Sequence, residues 1–146
     1  MAGAIDVRRI DANDKKKIKE FIKLPWKTKI YENDPAWVPP LIGEQKKMFN
    51  PDKGYFYDIG EVQFFIAYRD DQPVGRITAH INHLYEEKYD KDTGFFGFFE
   101  CIEDQEVANA LFTAAEAWLK EKGKTKIQGP QSFSIYDAVG FEVQGE

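Results

Sequence analysis

The chain has 146 residues, 42% apolar and 15% aromatic, enough to fill the core of one domain and too apolar for a disordered chain. Twenty Lys and Arg stand against 25 Asp and Glu, a formal net charge of -5. This acidic balance argues against nucleic acid or an anionic membrane surface as principal partner, and the single Cys101 with two histidines supplies neither an internal disulfide nor a four-ligand zinc site, so no metal is expected.

Ile5 and Val7 alternate with polar neighbours and predict a first strand ending near Asp11. Asn13 is then placed to cap a helix with Ile18, Phe21 and Ile22 as its apolar stripe, and the lysines between Lys15 and Lys19 read as its wet face. Pro25 has no N–H with which to carry that helix undisturbed past Leu24. The aromatic, proline-punctuated segment from Trp26 to Val38 reads as an ordered loop. Pro40 suits the first turn of a second short helix with Leu41, Ile42, Gln45, Met48 and Phe49 on its inner side.

The run Glu61 to Tyr68 predicts a mostly buried strand, Asp70 to Pro73 a hairpin loop, and Val74 to Asn82 the antiparallel return. On the return strand Gly75, Ile77, Ala79 and Ile81 share one side and Arg76, Thr78, His80 and Asn82 the other, so one face is core and the other polar and turned to water. Phe95 to Phe99 is aromatic on both faces, as a covered central strand would be. Asp104 is placed to cap a helix from Gln105 to Lys122 with Val107, Leu111, Ala114, Ala115, Trp118 and Leu119 as its stripe, and Gly123 ends it. A strand near Lys126 to Gln128 then lies parallel to the Phe95 strand through a right-handed crossover. The last 16 residues allow no more than one further small element. No repeat or linker divides the chain. One domain over 1–146 is expected, α/β in class, with an α+β mixed sheet, and the absence of a signal peptide or spanning run makes a soluble cytoplasmic protein the expectation.

That element order, with DPAWVPPL, PVGRITAHIN, GFFGFFECIEDQEVANALFTAAEAWL and IQGPQSFS, resembles the GNAT superfamily of acyl-CoA N-acyltransferases, and within it a poorly characterised bacterial GNAT-like family. The resemblance implies transfer of an acyl group from acetyl-CoA or another acyl-CoA to an amine. It also implies a fold truncated after the fifth strand. In the family pattern an Arg or Gln followed by small residues opens the loop before the helix, and backbone amides there hold the coenzyme A pyrophosphate. The matching positions here are Glu103 for the Arg or Gln and Glu106 and Ala108 for the small residues, with Phe99, Cys101 and Gln105 beside them; only Ala108 fits the pattern. Glu103, Asp104 and Glu106 set carboxylates where a polyanion would sit, each pair costing roughly 1 kcal/mol in water to about 4 near a protein surface at ~4 Å.

The resemblance also implies where chemistry would lie. Glu100 is a candidate general base and Cys101 a lining residue of the thioester channel, against the plainer reading of a strand-end carboxylate and a buried thiol. His80 is a candidate base if its strand face lines a cleft; His83 falls on the opposite face, so the two are not a pair. Tyr136 lies near the position of a tyrosine acid for the departing thiolate. Gly97, on one strand face with Phe95 and Phe99, would leave a slot between two rings for a pantetheine arm, or mark a bulge. The rival to an enzyme is a non-catalytic binding or assembly module that kept the scaffold and lost the coenzyme A loop. A truncated sheet would expose aromatic surface, so a homodimer burying Phe96, Phe98 and Ile127 is expected, with Phe133 to Val143 reaching across.

Overall fold

The structure is a computed structural model that describes residues 3–29, 34–35 and 42–130. Its frame is a five-stranded sheet in the order β1 (Ile5–Ile10), β2 (Gly60–Arg69), β3 (Gln72–Asn82), β4 (Thr93–Cys101) and β5 (Lys126–Gln128). Neighbours are antiparallel except β4 and β5, which run parallel through three residue pairs from Thr93↔Lys126 to Phe95↔Gln128. The β2–β3 hairpin closes through Asp70 and Asp71, both with positive φ, the left-handed conformation that a two-residue turn demands and that Asp tolerates better than most side chains.

Helices cover both faces. On one lie α1 (Lys15–Thr28), α2 (Ile42–Phe49) and a 3-10 turn (Tyr55–Asp58), enclosing Phe21, Leu24, Phe49, Phe56, Phe64 and Ile66. On the other lies α4 (Gln105–Glu121), which seats Val107, Leu111, Ala115, Trp118 and Leu119 against Phe65, Ala67, Ile77 and Ala79. A short helix α3 (His83–Lys88) links β3 to β4, capped by the Asn82 carbonyl oxygen of its side chain. The end of α4 follows the expectation for Gly123. Its φ is +81°, Gly123 N–H donates to Lys120 O and Lys124 N–H to Leu119 O, the paired bonds of a Schellman cap.

Several expectations are corrected. Asp14, not Asn13, caps α1, accepting from Lys17 N–H at 3.1 Å. The helix also runs through Pro25 to Thr28, so Trp26 is helical rather than the start of a loop. Residues 30–33 and 36–41 of that expected loop lie outside the described residues, as do Pro40 and the tail from Phe133 to Val143. The face of β3 bearing Arg76, Thr78, His80 and Asn82 is not turned to water: all four are buried, Arg76 against α1 and His80 against the 3-10 turn.

Arg76 explains how Pro25 fits. A proline at position 25 removes the donor that would bond the Phe21 carbonyl one turn back. The Arg76 guanidinium, only 4% exposed, takes that place: Nη1 donates to Phe21 O at 2.8 Å and to Ile22 O at 3.3 Å, above the Phe21 ring at 4.9 Å. Its Nε donates to Phe98 O on β4 at 3.0 Å. Arg76→Met strands these buried carbonyls and is expected to lower the unfolding free energy by about 3 kcal/mol in urea titration. Adding Pro25→Ala, which restores a helix donor to Phe21 O, is expected to recover about 1 kcal/mol. Strictly additive effects in that double-mutant cycle would disprove the link.

Candidate functional site

The site is built where β4 leaves its regular course. Arg76 pairs with Glu100, but Thr78 pairs with Gly97, so β4 carries one extra residue opposite Ile77. Phe98 absorbs the offset with φ +52°, a conformation that a bulky side chain adopts only when its surroundings hold it there. Two bonds do so: Thr78 Oγ1 donates to Gly97 O at 3.1 Å, and Arg76 Nε to Phe98 O. The extra residue also overturns the expected slot between Phe95 and Phe99. Phe95 stacks on His80, whereas Phe99 has moved to the α4 face, where it and Phe96 both meet Phe112, at 4.8 and 4.9 Å between ring centroids. Phe98 packs on Phe49 across the other face at 5.0 Å.

Beyond Phe95 the short β5 makes no further pair, and among the described residues β4 continues to Cys101 paired with β3 alone. At that end the chain turns into α4. Asp104, the expected cap, accepts from Glu106 N–H at 2.9 Å. Its other oxygen receives Arg69 Nη1 at 2.7 Å, and this bond holds the Asp104 carboxyl below its ordinary pKa; Arg69 Nη2 stands 3.8 Å from Glu106. Glu103, Gln105 and Glu106 are exposed, Gln105 bonding Asn109, while the Ala108 amide is already spent on Asp104 O inside the helix. The helix start is therefore an anion site that its own carboxylate occupies. Arg69 was missed by sequence reasoning. Its place as the last residue of the strand before the hairpin turn was the available signal, since that register carries it back towards the end of β4.

The sequence candidates separate into two groups. Glu100, Cys101, Glu103, Asp104 and Glu106 gather at the β4–α4 junction. Cys101 is half-buried, and burial, with Asp104 and Glu100 nearby, raises its pKa, so it is a thiol at neutral pH and no ready nucleophile. His80 lies apart, directly opposite Phe95 in the register, 1% exposed between the rings of Phe56 and Phe95. Burial pulls its pKa down to about 3, so it is neutral at physiological pH and sits among core rings rather than on a face turned to water. Tyr136 lies outside the described residues.

No protein-family model matches the chain. It is 42% identical over 135 residues to protein YghO of Escherichia coli K12, covering 90% of this chain and 33% of that one. It is 37% identical over 141 residues to the bacterial ceramide synthase of Caulobacter vibrioides, covering 96% of this chain and 36% of that one. The chain thus spans about a third of the length of these curated relatives. Among solved structures, an aminoglycoside acetyltransferase from an uncultured soil metagenomic sample superposes with a TM-score of 0.58 at 18% identity, over 97% of this chain and 87% of that one. A predicted acetyltransferase with acetyl-CoA from Clostridium acetobutylicum gives 0.56 at 14% identity, over 98% and 90%. A tandem GNAT protein from clavulanic acid biosynthesis gives 0.64 at 13% identity, over 97% of this chain and 43% of that one.

The buried histidine gives the fold a pH dependence. Its native pKa of about 3 lies below the unfolded value near 6.5, so its contribution is complete above that value and is lost as pH falls towards 3. Between pH 7 and 5 the unfolding free energy is expected to fall about 2 kcal/mol further in the native sequence than in His80→Phe, measured by urea unfolding. Parallel pH profiles for the two proteins would refute it.

Proposed function

On the GNAT fold just described, we propose that this chain is the donor-binding unit of an N-acyl transfer, taking a long-chain acyl-CoA and passing its acyl group to the amine of a lipid-like acceptor. The observation that carries this reading is the bulged end of β4. Past Phe95 β4 parts from the register of β5 and bulges, a departure at which an amide-bearing arm such as pantetheine can pair as an added strand would. The acetyl-CoA of the Clostridium neighbour supports the donor class, and the name of the Caulobacter relative supports the acceptor class, since a ceramide joins an acyl chain to a long-chain amine.

The acidic helix start shapes the choice of donor. Asp104 occupies the amide of Glu106, and Glu103 and Glu106 repel a pyrophosphate, so a short acyl-CoA gains little from that end. A long chain offsets this. Each buried methylene contributes ~0.8 kcal/mol, and the half-buried Phe96, Phe99 and Phe112 offer the chain an apolar rim. In the transfer the neutral amine attacks the thioester carbonyl, the C–N bond forms and the C–S bond breaks. The amine proton passes to a base and the thiolate leaves with coenzyme A. Glu100, on β4 directly opposite Arg76 of β3 and half-buried, is the carboxylate we assign as that base.

A second reading, a non-catalytic unit that keeps the scaffold, is favoured by one observation: the carboxylate of Asp104 already fills the helix start. Calorimetric titration separates the two. Palmitoyl-CoA is expected to bind at least about tenfold more tightly than acetyl-CoA. Replacing Glu103 by Gln and Glu106 by Gly is expected to tighten both about tenfold, by removing like charge. Thiol release with sphinganine as acceptor should then be lost in Glu100→Gln while donor affinity stays. Absence of binding by either donor, in an intact fold, would give the non-catalytic reading the field.

A further inference from the structure

The start of α1 breaks a rule that α4 obeys. The first turn of α4 holds Glu106 beside the capping Asp104, the charge that a helix N-terminus favours. The first turn of α1 holds Lys15, Lys16 and Lys17 and no acid, so cations stand at the positive end of the helix. Lys17 is relieved by Glu20 and Tyr68. Lys15 and Lys16 face instead, with Lys19, a concave cleft of about 570 Å³ whose other wall includes Lys46 from α2. Ile18 and Phe49 form its floor, and Asp52 is the one acid on its lining. A second hollow adjoins it through Lys46 and Asn50 and adds Lys47 and Lys53.

All six lysines are exposed, and none makes an ion pair among the described residues. On the opposite edge of the sheet, by contrast, Lys122, Lys124 and Lys126 each hold a carboxylate. Asp14 caps the helix, yet four lysines stand against the single acid Asp52 on the lining of the cleft, and that surplus points to compensation from outside the chain. The cleft lies at the end of the α1–α2 pair away from their connecting segment, and its floor residue Phe49 separates it from Phe98, so it is distinct from the β4–α4 junction.

We propose that this cleft binds a phosphate-bearing anion, the phosphomonoester or diphosphate of a small molecule or of a lipid headgroup. The lysines supply charge, while the apolar floor and the spare volume receive the group that the phosphate carries. A concave site lined on two walls suits a compact anion better than a flat charged surface. The proposal does not depend on acyl transfer.

The test is amide chemical-shift titration of the labelled chain with inorganic pyrophosphate at constant ionic strength. Saturable shifts are expected over residues 12–19 and 46–53. Lys16→Gln with Lys46→Gln should weaken binding at least about tenfold, while Lys88→Gln with Lys120→Gln, an equal change of charge elsewhere, should leave it within about twofold. No saturable shift, or equal weakening by both pairs, would overturn the proposal. Vesicles of phosphatidic acid in phosphatidylcholine decide the source. Displacement of pyrophosphate by them assigns a lipid headgroup, and its absence assigns a soluble phosphate. Binding to the vesicles alone, with none to pyrophosphate or glycerol phosphate, would overturn the cleft in favour of a flat charged surface.

Discussion

One buried guanidinium holds two irregular parts of this fold to each other. Arg76 stands on the middle strand and donates one way into the break that Pro25 makes in α1 and the other way into the bulge that sets Phe98 at a positive φ. Each irregularity leaves a carbonyl without its regular partner, and a buried carbonyl without a donor is costly. A planar fork of donors meets both where a lysine's point charge would not. The helix layer and the bulged strand are thereby set in one geometry, and the end of β4 inherits its shape from a residue on the neighbouring strand.

The regular parts of the structure were legible because each obeys a period. Alternation marked the strands, the stripe from Val107 to Leu119 marked α4, and Asp104 and Gly123 marked its ends. What escaped were departures from period that depend on distant partners. Pro25 reads as a helix stop until a donor on another strand is known to fill its gap. The face of Arg76, Thr78, His80 and Asn82 reads as solvated because polarity alone does not reveal the helices packed over it. The bulge gives no local sign beyond Gly97, and it moved Phe99 to the face opposite the one that strict alternation assigned.

The candidate site was legible in position more than in chemistry. The acidic helix start was visible in Glu103, Asp104 and Glu106, but the pairing of Asp104 with Arg69 depends on the hairpin register. His80 looked available because its neighbours in sequence were polar, and it is enclosed because its neighbours in space are Phe56 and Phe95. Net charge carries no record of distribution. A total of -5 is an average over a chain whose acids collect at one helix start and whose lysines collect at another.

The turn at Asp70 and Asp71 bears on the order in which the fold can assemble. The longest ladder in the sheet, β2 with β3, is closed by a two-residue loop, so its strands meet at almost no cost in chain entropy. β4 can join them after one short helix. β1 must be recovered across both α1 and α2, and β5 pairs with β4 only once the whole of α4 has formed between them. Local contacts thus concentrate in 60–101 and distant ones at the sheet's two edges, which makes the central hairpin the natural nucleus and the outer strands the last to lock. The bulge belongs to that local segment, whereas the α1 carbonyls that complete the coordination of Arg76 come from a distant part of the chain, so the strand and the helix that holds it meet through long-range contacts alone.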